Sequence, residues 1–254
     1  MKQPNYLTVL EHLFEKARVQ DEFEFAFTLM RFQGVQDAGW DALREADYLY
    51  RDVVGLLQSP IQQETKVRLA LLLYAHITEI DAVHLVIHNM LRVVAGERYS
   101  AFPFQSLVRR RKNSVLDSIP PSSKAKIKLI RDYAKTLGED EIMALLDEVY
   151  NEALRNAFFH SDYILYNNEL RSHNSWFEHG NNTRSQVMSG KELQDQLNAA
   201  INFFQSFMSI YIRSIRSYKA DKKIAGRFGQ NGEVVPMMLL ADKKYGLYGV
   251  KSIG

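Results

Sequence analysis

The chain has 254 residues, 46% of them hydrophobic and 24% charged, with a formal net charge of +2. That length is ample for a buried core, and so small a net charge excludes recognition of nucleic acid by bulk electrostatics, leaving only local recognition of phosphate. Without cysteine there can be no disulfide, thiolate nucleophile or cysteine-ligated zinc.

Taken in order, Met1-Lys2-Gln3-Pro4-Asn5-Tyr6 lacks the apolar run of a secretory leader, which points to a cytoplasmic protein. Residues 5–33 carry helical spacing, with Leu7, Leu10, Leu13, Phe14 and Ala17, then Phe23, Phe27 and Met30. The polar stretch from Arg18 to Glu22 divides them. A further helix is expected over residues 41–57, ended by Ser59-Pro60. Residues 1–60 therefore read as an N-terminal helical extension.

Residues 64–95 form the strongest helix candidate, apolar around most of its circumference and stopped by Gly96. His76, Glu79, Asp81, His84 and His88 interrupt it, at a cost no membrane span would tolerate, so no membrane partner is expected. A compact basic run, Arg109-Arg110-Arg111-Lys112, could track an RNA backbone, although such runs are commonly solvated faces. Ser122 is a candidate N-cap for a helix over residues 123–137.

The next helix, about residues 140–160, buries Ile142, Leu145, Leu146, Val149, Ala153 and Ala157 on one face. It ends in Arg155-Asn156-Ala157-Phe158-Phe159-His160. Asn156 and His160 are four apart and share a face, with Arg155 at its edge. Arginine grips phosphate through two donors, and histidine moves a proton near neutral pH without a metal. The structural alternative has Asn156 capping the helix, His160 bonding a carbonyl, and Arg155 paired with Glu152 or Glu148.

After the motif the period changes. Asn167-Asn168 suits a hairpin turn, and a third strand is expected near residues 184–188. Ser189-Gly190-Lys191-Glu192 is a capping box opening a long helix over residues 190–218. The tail, residues 221–254, reads as a small β-hairpin with Pro236 on an edge strand. The fold class is thus all-α: a bundle over residues 61–220 with a β-ribbon insert, the N-terminal extension and the tail.

Arg155-Asn156 followed by His160, at the end of a bundle helix, resembles the hallmark of the HEPN superfamily of small helical bundles, many of them ribonucleases. The likeness covers roughly residues 64–218. It implies metal-independent RNA cleavage without a cofactor, in which His160 serves as general acid or base, Arg155 stabilises phosphoryl charge and Asn156 orients the phosphate or the histidine. It further implies a homodimer with a composite site, an acidic residue from an earlier helix (Glu79 or Asp81), a toxin or phage-defence role, and an antitoxin or other regulatory protein. Tyr163 would be a regulatory modification site by the same likeness, or a strand tyrosine packed on the bundle.

Two other readings stand beside it. A non-catalytic module of the same shape would bind a nucleotide or a protein. A metal site would use His84 and His88, spaced i, i+4, with Asp81. Trp176 and Phe177 either stack on bases or cover the bundle.

Overall fold

A computed structural model describes residues 5–31, 41–110, 118–179, 183–228 and 233–253. In chain order the helices are α1 (Tyr6–Gln20), α2 (Glu22–Met30), α3 (Ala42–Gln58), α4 (Gln63–Thr78), α5 (Asp81–Val94), α6 (Ser123–Thr136), α7 (Asp140–Val149), α8 (Glu152–Phe159) and α9 (Gly190–Ser217). The strands are β1 (Arg109–Arg110), β2 (Ser118–Ile119), β3 (Ile164–Tyr166), β4 (Glu169–Arg171), β5 (Phe177–Glu178), β6 (Arg184–Ser185), β7 (Val187–Ser189), β8 (Lys222–Phe228), β9 (Glu233–Asp242) and β10 (Gly246–Ser252). The protein is mostly helical, with small antiparallel sheets. Among the described residues no single helix is long and apolar enough to cross a membrane.

The chain divides into two compact units. One comprises Met1–Asp41, Asp81–Ile142 and Ser206–Gly254; the other comprises Ala42–Ile80 and Met143–Gln205. This division cuts across the linear boundaries expected near residues 60 and 220. Helices α1 and α2 are no separate extension: both pack on α5 in the first unit, whereas α3 belongs to the second.

In the first unit, Asp21 breaks the N-terminal pattern. It is extended, and its carboxylate accepts the Phe23 and Glu24 N–H groups at 3.1 Å each, capping α2. Helix α5 is buried nearly all round. Gly96 closes it with φ +79°, a conformation that favours glycine. Strand β9 is the centre of a three-stranded sheet, β8-β9-β10, that packs on α2. The tail is therefore a meander, and Pro236 lies in its central strand. The expected edge placement of Pro236 is therefore not met: its carbonyl accepts from Ile253 N–H at 3.2 Å, just past the end of β10, and without an N–H it cannot return that bond.

In the second unit, α4 packs on α3 and α8, and Tyr50 of α3 meets Phe204 of α9 at 5.1 Å. Strands β3, β4 and β7 form one sheet in that order, and β5 pairs with β6. Asn167 and Asn168 both take positive φ, as a tight hairpin turn requires. The capping box forms as expected: Ser189 N–H reaches Glu192 Oε2 at 2.9 Å, and Glu192 N–H reaches Ser189 Oγ at 3.2 Å.

Two expected helices are each broken in two. Residues 64–95 divide at Glu79, where Thr78 Oγ bonds the Ala75 carbonyl and the Glu79 N–H reaches only three residues back, to His76. Residues 140–160 divide at Tyr150-Asn151. Asn151 is extended, and its side chain caps α8 by accepting from Leu154 N–H at 3.0 Å. No glycine or proline marks either break, so the hydrophobic period runs through both.

Candidate functional site

The Arg155-Asn156-His160 motif lies wholly in the second unit, on α8, and α8 is held from both ends. At its start, the fully buried Tyr74 hydroxyl of α4 accepts from Asn151 N–H at 2.8 Å and donates to the Asn151 carbonyl at 3.1 Å. Burial, above all, pushes the Tyr74 phenol far above its usual pKa, so it stays protonated. Gln196 of α9 donates to the Glu148 and Val149 carbonyls at 2.8 and 2.9 Å, satisfying the orphan end of α7.

At its end, α8 closes in a Schellman motif. Ser161 N–H bonds the Phe158 carbonyl at 3.0 Å and Asp162 N–H bonds the Ala157 carbonyl at 2.8 Å. His160 is the C-cap, and Ser161 takes the left-handed position at φ +53° usually given to glycine. Asp162 then accepts from Ser172 Oγ at 2.7 Å and from the Asn174 and His173 N–H groups at 2.8 and 3.3 Å, tying the motif to the end of β4. Those bonds, led by Ser172, hold its carboxyl below the usual carboxylate range.

Arg155 is half-buried and fixed on three sides. Its Nε donates to Glu79 Oε1 at 2.8 Å, its Nη1 donates to Asn156 Oδ1 at 3.1 Å, and its Cζ lies 4.5 Å from the centroid of the Phe159 ring. The partner is Glu79 at the end of α4, rather than Glu152 or Glu148. Between the two acidic candidates the structure separates the roles: Glu79 meets Arg155, whereas Asp81 pairs with Lys126 in the first unit. The His160 ring is exposed and makes no hydrogen bond among the described residues. The helix thus delivers a clamped guanidinium and, five residues on, an open imidazole.

Several residues of this site carried no sequence signal. Tyr74 and Asn151 set the start of α8. Tyr150, pushed up to about 12 by burial and then by Glu152, keeps its proton beside the Arg155–Glu79 pair. Phe159, read only as part of the motif spacing, is the face on which Arg155 rests.

The remaining expectations divide. Tyr163 is half-buried and stacks on Phe158 at 6.0 Å. Phe177 is fully buried and Trp176 is exposed. Arg109 and Arg110 form β1, paired with β2; Arg111 and Lys112 lie outside the described residues. His84 and His88 are both buried, and His88 lies between Tyr133 and Phe104, each at 5.3 Å. Burial pushes the His88 imidazole below its ordinary pKa. With Asp81 engaged by Lys126, these residues do not converge, and among the described residues no group of three metal-ligating side chains forms.

A second titratable cluster lies on the β5–β6 hairpin, where His179 contacts Glu192 Oε1 through Nδ1 at 2.8 Å and Ser185 Oγ through Nε2 at 2.9 Å. The connectivity is that of a serine–histidine–carboxylate triad. However, the Ser185 hydroxyl donates to the Val187 carbonyl at 2.5 Å and accepts the Val187 N–H at 3.0 Å. Ser185 is thus engaged by its own hairpin backbone as well as by His179, and the cluster clasps the β5–β6 hairpin to α9. A cleft of about 540 Å³ in the second unit, between α3, α4, α9 and the β3–β4 turn, does not include Arg155, Asn156 or His160.

Comparison with models of known protein families, with curated proteins and with solved structures gives no match.

Proposed function

We propose that the second unit carries a HEPN-type, metal-independent endoribonuclease site formed by Arg155, Asn156 and His160 and supported by Glu79. The observation that carries this reading is the Arg155 clamp. Glu79 and Asn156 take the Nε and Nη1 donors, leaving Nη2 with no hydrogen bond among the described residues and directed by a fixed plane. A preorganised donor of this kind lowers the cost of charge developing on a phosphoryl oxygen.

In the reaction, the ribose 2′-hydroxyl attacks the adjacent phosphorus and the P–O5′ bond breaks. The products are a 2′,3′-cyclic phosphate and a 5′-hydroxyl. His160 takes the 2′-hydroxyl proton or gives a proton to the departing 5′-oxygen. One histidine performs one of these transfers, so a second copy of the chain supplies the other, which fits the homodimer implied by the resemblance. The biological setting that follows from the same likeness is a toxin or phage-defence effector held in check by a partner protein.

His160→Ala should abolish cleavage of single-stranded RNA with fold and oligomeric state unchanged. Cleavage by the wild type should survive chelator, and a 2′-deoxy substitution at the scissile position should block it. Unchanged cleavage by His160→Ala sinks the assignment. A wild type that binds RNA or a nucleotide without cutting supports the second reading, a binding module. That reading is favoured by the Arg155–Glu79 pair, which occupies Nε and leaves the guanidinium only partly open to phosphate.

A further inference from the structure

Phe159 is 46% exposed at the end of α8, immediately before His160. One face of its ring is covered by the Arg155 guanidinium, 4.5 Å from the centroid. Its neighbour Phe158 lies perpendicular to it, at 5.8 Å and 82°, and is itself braced by stacking on Tyr163. A ring with a cation over one face that is still nearly half exposed keeps aromatic surface available to a ligand. The guanidinium stays in place, because Glu79 and Asn156 hold it.

We propose that the exposed ring surface of Phe159 is a subsite for an unpaired nucleobase next to the scissile phosphate, resting on the ribonuclease reading above. The base would complete a three-layer stack of guanidinium, phenyl ring and base. Both outer layers suit an aromatic face: the cation by its charge, the base by its π-surface. A base in a duplex has both faces occupied by its neighbours, so it cannot enter without unstacking. The subsite therefore selects single-stranded RNA and tolerates any base, since every base has a face to offer. Because Phe159 and His160 are adjacent, docking a base on the ring brings that nucleotide's backbone to the imidazole.

The test uses the full chain and a short single-stranded RNA carrying 2-aminopurine. In a His160→Ala background, binding should quench the fluorophore; adding Phe159→Leu should remove the quenching, and adding Phe159→Tyr should keep it. With His160 intact, Phe159→Leu should raise KM for single-stranded RNA by about tenfold with kcat little changed, the loss expected of one stacked base, and Phe159→Tyr should restore it. Melting curves confirm that the variants fold. Quenching and KM unaffected by Phe159→Leu overturn the subsite. A fall in kcat at constant KM also overturns it, because Phe159 would then act only by positioning Arg155. If the wild type neither binds nor cleaves RNA, the ribonuclease reading itself falls, and the subsite with it.

Discussion

Replacing Tyr74 by Phe removes a single oxygen from a fully buried ring and leaves the packing volume almost unchanged. That oxygen serves two backbone groups of one residue, the Asn151 N–H at 2.8 Å and the Asn151 carbonyl at 3.1 Å. Orphaning a buried polar group costs about 1–3 kcal/mol. Asn151 is only half-buried, so water reaches part of the deficit, and the combined loss should be about 2 kcal/mol. That is roughly a 30-fold rise in the local opening constant. Hydrogen exchange read by mass spectrometry on residues 152–159 measures it directly, with α6 in the other unit as internal control. Protection should fall in α8 and hold in α6. If α8 protection is unchanged, Tyr74 does not anchor the start of the motif helix, and the account of how Arg155 is positioned fails.

Three further predictions concern the same unit. Ser161→Gly should stabilise it by about 0.5–1 kcal/mol, because Ser161 is held at φ +53°; a lower melting temperature would show that the Ser161 side chain contributes more than its strain costs. Gly190→Ala should destabilise by about 1–3 kcal/mol, since a Cβ there would lie 2.4 Å from the Asn168 carbonyl oxygen; wild-type stability in that variant would refute so close an approach of the hairpin tip to α9. Glu192 is held at about 2, against an ordinary 4.5, by its bond to His179 and then by Ser189. Its folded pKa is depressed, so its contribution is complete above pH 4.5 and is lost as pH falls toward 2. Glu192→Gln should flatten acid unfolding in that window, and an unaltered acid profile would show that this carboxylate is not linked to stability.

Much of the fold was legible because local chemistry dictates it. The Ser189–Glu192 capping box, the Asn167-Asn168 turn, the Ser122 N-cap and the Gly96 stop each depend on neighbours within a few residues, so the order of residue types is enough to reveal them. The Arg155-Asn156-x3-His160 spacing was equally visible, because i, i+4 neighbours on a helix are set by its pitch.

What the tertiary structure alone decided depends on residues far apart in the chain. The breaks at Glu79 and Tyr150-Asn151 interrupt no hydrophobic period and use no glycine or proline; the second is held by Tyr74 and Gln196, distant residues that satisfy the freed backbone. The choice of Glu79 over Asp81 rests on a contact 76 residues away in sequence. His84 and His88 read as a ligand pair by spacing, and only packing showed that their surroundings bury them, with aromatic rings on His88. Periodicity reports which face of a segment is apolar; it carries no information about what that face meets, and it is that meeting that turned Arg155 from a surface cation into a clamped donor.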